Sequence, residues 1–467
     1  MHPTLTALAI LCAATDWPQS RADAQNTAAV ELQAKAVARP WTFEGGGRVY
    51  GYEPGMTVWS SPAIGQVEGR AVLTVGSYDH HVYALDAATG ETLWKFATGG
   101  PVFSTPVIWA GGGRALVFAA STDRLVYALD AASGRQVWVH AVEEFRPTLG
   151  GARLSAPCVG AAAGQEAVFV GRWVWDRSLG NALQQGGVTA LAAADGKPLW
   201  KAELGDNEIA APLFARVGGA GRLFAGSSNG NLYALEADTG RVVWRHTELD
   251  AIRSPPAFFE APEGPRVVFG SKFGVVRCLD AATGAEAWSF KTGDRVTGAP
   301  LALRLGERVA VVVGSYDRTL YALDGRSGAA LWRYPARGGI YSSPALAGGL
   351  GERVVLFSAW DHALHAVSAD SGAERFSVFT GRPLWDVSGL DESTWSSPVA
   401  ARIGGRWMAF AGSYDGTLRA LPLDLPAPGG RMPRSDLWFW LSFPLSLGPV
   451  AALALWLTRR ERRRPGA

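Results

Sequence analysis

One phrase recurs along this 467-residue chain, and its spacing restricts the fold more than any other feature. It reads YALDAATGETLW at 83–94, YALDAASGRQVW at 127–138 and TALAAADGKPLW at 189–200. It returns as YALEADTGRVVW at 233–244, RCLDAATGAEAW at 277–288 and YALDGRSGAALW at 321–332, with a weaker copy, HAVSADSGAERF, at 365–376. The glycines of the phrase are Gly90, Gly134, Gly196, Gly240, Gly284, Gly328 and Gly372, spaced 44 residues apart except for one interval of 62. A period of this length marks units that bury their apolar faces only against their neighbours. Length alone suggests about three domains; periodicity turns most of the chain into one.

Each unit resolves into four short strands. In the second they are FSTPVIWA, ALVFAAST, RLVYALDA and RQVWVHA, rich in Val, Tyr, Phe and Trp and separated by Gly-, Asp- and Ser-containing turns. The strands are apolar on both faces, as small sheets covered on each side require. Four strands per ~45 residues, stacked radially, make a β-propeller. The phrase supplies Asp and Thr/Ser at a tight turn, Gly at a positive-φ position, and a Trp on the fourth strand that fills the gap between blades. Seven units are complete. An eighth begins at WSSPVAAR, continues through WMAFAGS and DGTLRAL, and breaks off after RALPLDLP at 419–426. Pro40-Trp41-Thr42-Phe43 reads as a fourth strand without a blade. Residues 41–43 then complete the last sheet and remove its open edge. The expected fold is an all-β, eight-bladed propeller of four-stranded antiparallel blades over 41–425, plus one C-terminal transmembrane helix.

Composition supports this and limits function. The chain has 57 Gly, 19 Trp and 48% hydrophobic residues, enough for a large core, and three Cys, too few for a disulfide scaffold. A net charge of +2 excludes an electrostatic case for nucleic acid. Residues 459–464 (RRERRR) carry +4, which leaves −2 on the remainder.

The two ends read as targeting segments. An apolar run from Leu5 to Ala14, followed by Ala22-Asp23-Ala24, has the pattern of a signal peptide over 1–24, without its usual basic start. Residues 25–40 read as a linker. Leu437–Leu457 holds 21 residues without a charge, long enough to span a bilayer, with Trp438, Trp440 and Trp456 at its ends. A Pro/Gly tether at 426–436 precedes it. The basic tail at 458–467 places the C-terminus in the cytoplasm and the propeller on the periplasmic or extracellular side of the cytoplasmic membrane.

The units resemble the pyrroloquinoline-quinone (PQQ) repeat family, whose signature is the YALDAxTGxxxW phrase. The resemblance covers residues 41–425 and implies fold more strongly than activity, because the family holds PQQ-dependent alcohol dehydrogenases as well as non-catalytic propellers such as BamB. The dehydrogenases pair adjacent cysteines against PQQ, bind Ca²⁺ through carboxylate and amide oxygens and use an Asp base. This chain has no adjacent Cys pair, since Cys12, Cys158 and Cys278 are far apart in sequence. It also has no C-x-x-C-H, Walker A or H-E-x-x-H motif. Asp206-Asn207-Glu208 and Asp391-Glu392 offer loop carboxylates, and His80-His81 and His362/His365 fall at equivalent turns. We read these as solvated or surface groups and assign no metal, cofactor or catalytic residue.

Length variation points to a surface. Fourth-to-first loops and second-to-third turns share one face of a propeller. The long segments at 44–57, 142–153 and 380–393, and the 18-residue insertion within 171–187, all fall there. Insertions gathered on one face of a repeat protein mark its binding side. The candidate contact residues on this wide face are Arg146, Arg153, Trp173, Trp175, Arg253, Arg295, Arg337, Tyr341, Trp385 and Trp395, because Arg and aromatics anchor interfaces. The expected function is a membrane-anchored, non-enzymatic scaffold or ligand-binding module that takes an extracytoplasmic protein partner, in envelope assembly or a membrane complex. A PQQ-dependent dehydrogenase with Ca²⁺, passing electrons to the membrane, is the alternative. BamB-like proteins are held to an outer membrane by a lipid, and the predicted helical anchor departs from that.

Overall fold

The computed structural model describes residues 29–32, 40–44, 60–142, 149–176, 183–205, 209–349, 352–379, 396–412 and 417–423. The predicted signal peptide, tether, membrane helix and basic tail lie outside these residues, as do Arg146, Trp385, Trp395 and the two loop carboxylate groups at 206–208 and 391–392. No helix among the described residues is long and apolar enough to cross a membrane. The chain divides into a first compact unit ending at Asp424 and a second beginning at Leu425.

Eight separate sheets make up the described part of the first unit, antiparallel throughout except for one parallel pair in the eighth. Blade one runs through strands Ala63–Val67, Arg70–Gly76, His81–Asp86 and Thr92–Ala97, each hydrogen-bonded to the next. The pattern repeats through blade seven, whose strands are Ala345–Gly349, Glu352–Ala359, Ala363–Ser368 and Glu374–Phe379. The first strand of each blade begins directly after a proline, at Val107 in blade two rather than at Phe103. Pro106 cannot donate to a ladder, so it sits just outside the strand.

Blade eight is assembled from both ends of the propeller. Val399–Ile403, Arg406–Gly412 and Thr417–Pro422 form three strands, and Trp41–Glu44 pairs antiparallel with the last of them, Trp41 opposite Ala420. The ring is therefore closed by the N-terminal strand. A second strand, Ala29–Leu32, pairs parallel with the innermost strand, Ala29 opposite Ala400. This corrects the linker reading of 25–40. The short AVEL segment carries no turn signal or repeat phrase, and its partner strand, Val399–Ile403, lies some 370 residues away in the chain.

The repeat phrase is a joint between blades. On the fourth strand the pairing register shifts one residue before each Trp, for example between Ala84 and Leu85 opposite Trp94 and Thr92. This bulge redirects the indole toward the next blade. There its Nε1–H donates to a turn carbonyl: Trp94 to Ala131 at 2.9 Å, Trp138 to Ala193 at 3.0 Å and Trp288 to Gly325 at 2.8 Å. Trp200, Trp244 and Trp332 do the same to Ala237, Ala281 and Ala369. Trp41 makes the seventh such bond, to Ala87 at 3.1 Å, and so joins blade eight to blade one. Inside the donor blade the same ring packs on a second-strand Phe, as in Phe118–Trp138 with centroids 5.6 Å apart.

The glycine of the phrase is required twice over. Gly328 has φ +72°, and a Cβ there would lie 2.7 Å from Trp288 Cε3. Gly90 is held in the same way, with φ +78° and a Cβ position 2.6 Å from Trp41 Cδ2. The turn itself is tied by the phrase's Asp: Asp130 Oδ1 accepts the Ser133 backbone N–H at 2.9 Å and the Ser133 hydroxyl at 2.5 Å.

These contacts predict an ordering. Gly113 also has a positive φ, +78°, but nothing lies within 4 Å of its Cβ position. Both G113A and G328A carry the backbone penalty, and only G328A must displace a buried indole. Urea unfolding should show G328A less stable than G113A by about 1–3 kcal/mol. W288F, which leaves the Gly325 carbonyl without its donor, should cost about 1–3 kcal/mol.

Candidate functional site

The face built from fourth-to-first loops and second-to-third turns is elaborated most at blade three. The 18-residue insertion extends its second and third strands into a hairpin, Gln165–Asp176 and Leu183–Ala192. Leu149–Leu154, from the long loop before blade three, pairs with the extension beyond the point where the innermost strand, Cys158–Ala162, ends. Two of the length variations recognised in the sequence thus combine into one extension of the blade-three sheet. In it Arg153, exposed, stands opposite Trp173, half-buried. Trp175 is opposite Gly151 on the same strand pair. Beneath them Arg172 is wholly buried and ion-paired to Glu203.

A second group gathers between blades six and seven. Tyr341 packs against Tyr316 with ring centroids 4.2 Å apart and against Trp360 at 4.1 Å. The Arg295 guanidinium lies over the Tyr316 ring, 5.6 Å from its centroid, in cation–π range. Tyr341 is buried, at 7% exposure, so it supports this cluster from below, and Trp360, at 50%, is the member offered to solvent. Arg337 is exposed in the same loop. Arg253 is half-buried in the loop between blades four and five. The described candidates therefore fall into a blade-three pair and a blade-six/seven cluster, with Arg253 between them in chain order.

Three residues of this face were not singled out in the sequence: Trp360, Leu249 at 99% exposure and Phe273 at 60%. Their signal was departure from the repeat. Trp360 stands where blade two has Thr122, and Phe273 stands where blades one, two, six and seven have Asp79, Asp123, Asp317 and Asp361.

The histidines and aspartates of the turns are structural. Asp79 Oδ2 accepts the Tyr83 hydroxyl at 2.6 Å, and Asp123 and Asp317 accept those of Tyr127 and Tyr321 at 2.7 Å. In blade seven His365 replaces the tyrosine and meets Asp361 at 3.0 Å. His80 and His362 take the positive-φ position of their turns, at 68° and 61°. No group of three or more His, Cys, Asp or Glu among the described residues is arranged to hold a metal. Gly226-Ser227-Ser228-Asn229-Gly230 has the G-x-S-x-G spacing. It forms a strand-to-strand turn with Gly230 at φ +85°, not the strand-to-helix elbow that exposes a nucleophile.

The cysteines fit a core role. Cys158 on the innermost strand of blade three and Cys278 on the third strand of blade five are both buried. Burial pushes the Cys158 thiol far up and the Cys278 thiol to about 12, which leaves neither as a thiolate at neutral pH.

A family model described as outer membrane protein assembly factor BamB, of the PQQ-repeat type, matches residues 41–176, 184–262 and 272–424. The chain belongs to this family. Among solved structures it is similar to BamB from Moraxella catarrhalis, at 16% identity and TM-score 0.52, covering 76% of this chain and 95% of that one. It is also similar to quinohemoprotein alcohol dehydrogenase from Comamonas testosteroni, at 15% identity and TM-score 0.62, covering 90% and 81%. A europium-containing methanol dehydrogenase gives 14% identity and TM-score 0.63, covering 86% and 90%. These likenesses are of fold, shared by assembly factor and dehydrogenase alike. No curated protein matches the chain in sequence.

The turn carboxylates of this PQQ-repeat propeller set its acid sensitivity. Hydrogen bonds from Ser133 hold Asp130 below the usual carboxylate value. Burial pulls Asp280 and Asp361 upward, but bonds from Thr283 and from His365 outweigh it, so both also end lowered. A carboxylate with a lowered folded pKa binds fewer protons than in the unfolded chain. Its contribution is complete above the unfolded value, near ~4, and is lost as pH falls through the folded value. Thermal midpoints should be flat from pH 7 to about 5 and fall below ~4. D130N should start lower at pH 7 and show a shallower fall.

Proposed function

We propose that this chain is a membrane-tethered extracytoplasmic propeller that holds a protein partner on its elaborated face and performs no chemistry of its own. The observation that carries this reading is where exposed apolar surface lies. Three of the five large hydrophobic side chains exposed among the described residues, Leu249, Phe273 and Trp360, are on the face that also receives the insertions. The opposite face is laced with ion pairs, such as Arg266–Asp280 at 3.1 Å and Lys197–Asp195 at 2.8 Å, the pattern of a solvated surface. Membership of the BamB family supports a role in assembly. The predicted signal peptide and the charge-free segment Leu437–Leu457 support attachment to the cytoplasmic membrane, with the propeller outside the cytoplasm.

PQQ does not fit the residues present. The stacking pair of adjacent cysteines is missing from the sequence, and the two described cysteines are inert core groups on different blades. We therefore assign no PQQ or Ca²⁺ site and derive no redox step.

A photocrosslinking residue placed at Trp360 in the full-length, membrane-attached protein should yield a discrete crosslinked protein. The same residue at Arg135, in an exposed turn of the opposite face, should not. Equal crosslinking from both positions, or none from Trp360, would overturn the assignment. In a parallel titration, PQQ with Ca²⁺ should give neither a saturable absorbance change nor dye reduction with alcohols; either one would establish the dehydrogenase alternative.

A further inference from the structure

The repeats act as controls for one another, and the joint between blades four and five fails the comparison. At four joints, this one included, a backbone N–H of the following turn donates to a carbonyl of the fourth-to-first loop. Thr122 N–H donates to the Pro101 carbonyl at 3.0 Å, Tyr316 N–H to Arg295 at 3.0 Å and Lys272 N–H to Ala251 at 3.0 Å. The backbone at blades four and five is thus in the common register. In that register Leu249 corresponds to Gly99 and Gly293, and Phe273 to Asp123 and Asp317. Those positions touch: a Cβ on Gly99 would lie 3.3 Å from Asp123 Cβ, and one on Gly293 would lie 3.1 Å from Asp317 Cβ. The shared register therefore puts the backbone positions of Leu249 and Phe273 side by side, and both side chains are exposed, at 99% and 60%.

Nothing in the fold asks for them. Asp123 and Asp317 each accept a glycine N–H from the preceding loop at 2.7 Å and a Tyr hydroxyl from their own blade. Phe273 can do neither. The tyrosine's counterpart is Arg277, which turns instead to Glu248 and Glu286. Blade five has given up the Asp–Tyr device and placed two apolar side chains in water.

The surrounding charge indicates what covers them. Lys272 precedes Phe273, and the Lys291 ammonium donates to the Phe273 carbonyl. The segments that carry the pair hold Arg253, Lys272, Arg277, Lys291 and Arg295 against Glu248, Asp250, Glu286 and Asp294, an excess of one positive charge on a chain whose remainder outside the tail carries −2. We infer that Leu249 and Phe273 anchor an acidic, apolar segment of a protein partner, its side chains on the exposed pair and its carboxylates toward the flanking lysines. The inference rests on the protein-binding reading and names its contact.

The test uses the substitutions the repeat itself supplies. L249G/F273D restores the residues of the other joints, so it should fold with an unchanged thermal midpoint. A fluorescent 12-residue peptide alternating Glu or Asp with Leu or Phe is titrated into the detergent-solubilised full-length protein and followed by anisotropy. Saturable binding, weakened at least tenfold in L249G/F273D and by raised salt, and absent for a peptide with Lys in place of its acids, is expected. Equal binding by the double variant, equal binding of the Lys peptide, or no binding of either peptide would overturn the inference. So would sedimentation with phosphatidylglycerol vesicles that the double substitution abolishes while peptide binding is unaffected. If Trp360 crosslinks persist in any of these cases, the partner-binding reading stands and only this contact is wrong.

Discussion

Seven of the eight blades are secured by a side chain that belongs to the blade before them. The indole N–H of one blade reaches the turn carbonyl of the next, and the ring fills the space that a Cβ on the turn glycine would occupy. A four-stranded sheet has two apolar faces and no core of its own, so its stability comes from its neighbours. Seven joints use this device, and the seventh depends on Trp41, which lies next to blade one only because residues 41–44 travel with blade eight.

The joint between blades seven and eight is built otherwise. Blade seven has Phe376 where its predecessors have Trp, and blade eight has no Thr-Gly turn to receive it. Here Trp407 approaches from blade eight and fits against Gly348, where a Cβ would lie 2.9 Å from the indole. Closer to the axis, serines link successive blades. Ala299 N–H donates to Ser343 Oγ at 2.9 Å, Ser343 N–H to Ser397 Oγ at 2.9 Å and Ser397 N–H to Ser61 Oγ at 2.8 Å. This chain of bonds crosses both seams of blade eight. The inner strand Ala29–Leu32 adds a second N-terminal contribution to the same blade.

Much of this was legible. The interval of 44 residues identified the blades, the unpaired phrase PWTF identified the closing strand, and the single interval of 62 located the extended hairpin of blade three. The Ser-x-Pro lead-ins at 60–62, 104–106, 155–157, 254–256, 342–344 and 396–398 form a second repeat, less visible because serine has no pattern of its own in a strand. Of the candidate contact residues, Arg153 and Trp173 were placed together by the strand pairing of two separate insertions, which no local pattern foretells. Tyr341 has the composition of a contact residue and the position of a buried support, and only packing separates the two. Leu249 and Phe273 were in view as departures from the repeat, but their adjacency came from a register between blades.

By itself the sequence determined the number of blades, the four-strand pattern of the blades, the tryptophan position on the fourth strand and the turn glycine, because these are periodic and each copy repeats the same local chemistry. The tertiary structure alone decided which exposed side chains share a surface, where residues 29–32 pair, and how the one joint without a docking tryptophan is closed. Those depend on contacts between segments far apart in the chain, and a ring brings its first and last segments together only once every blade is in place.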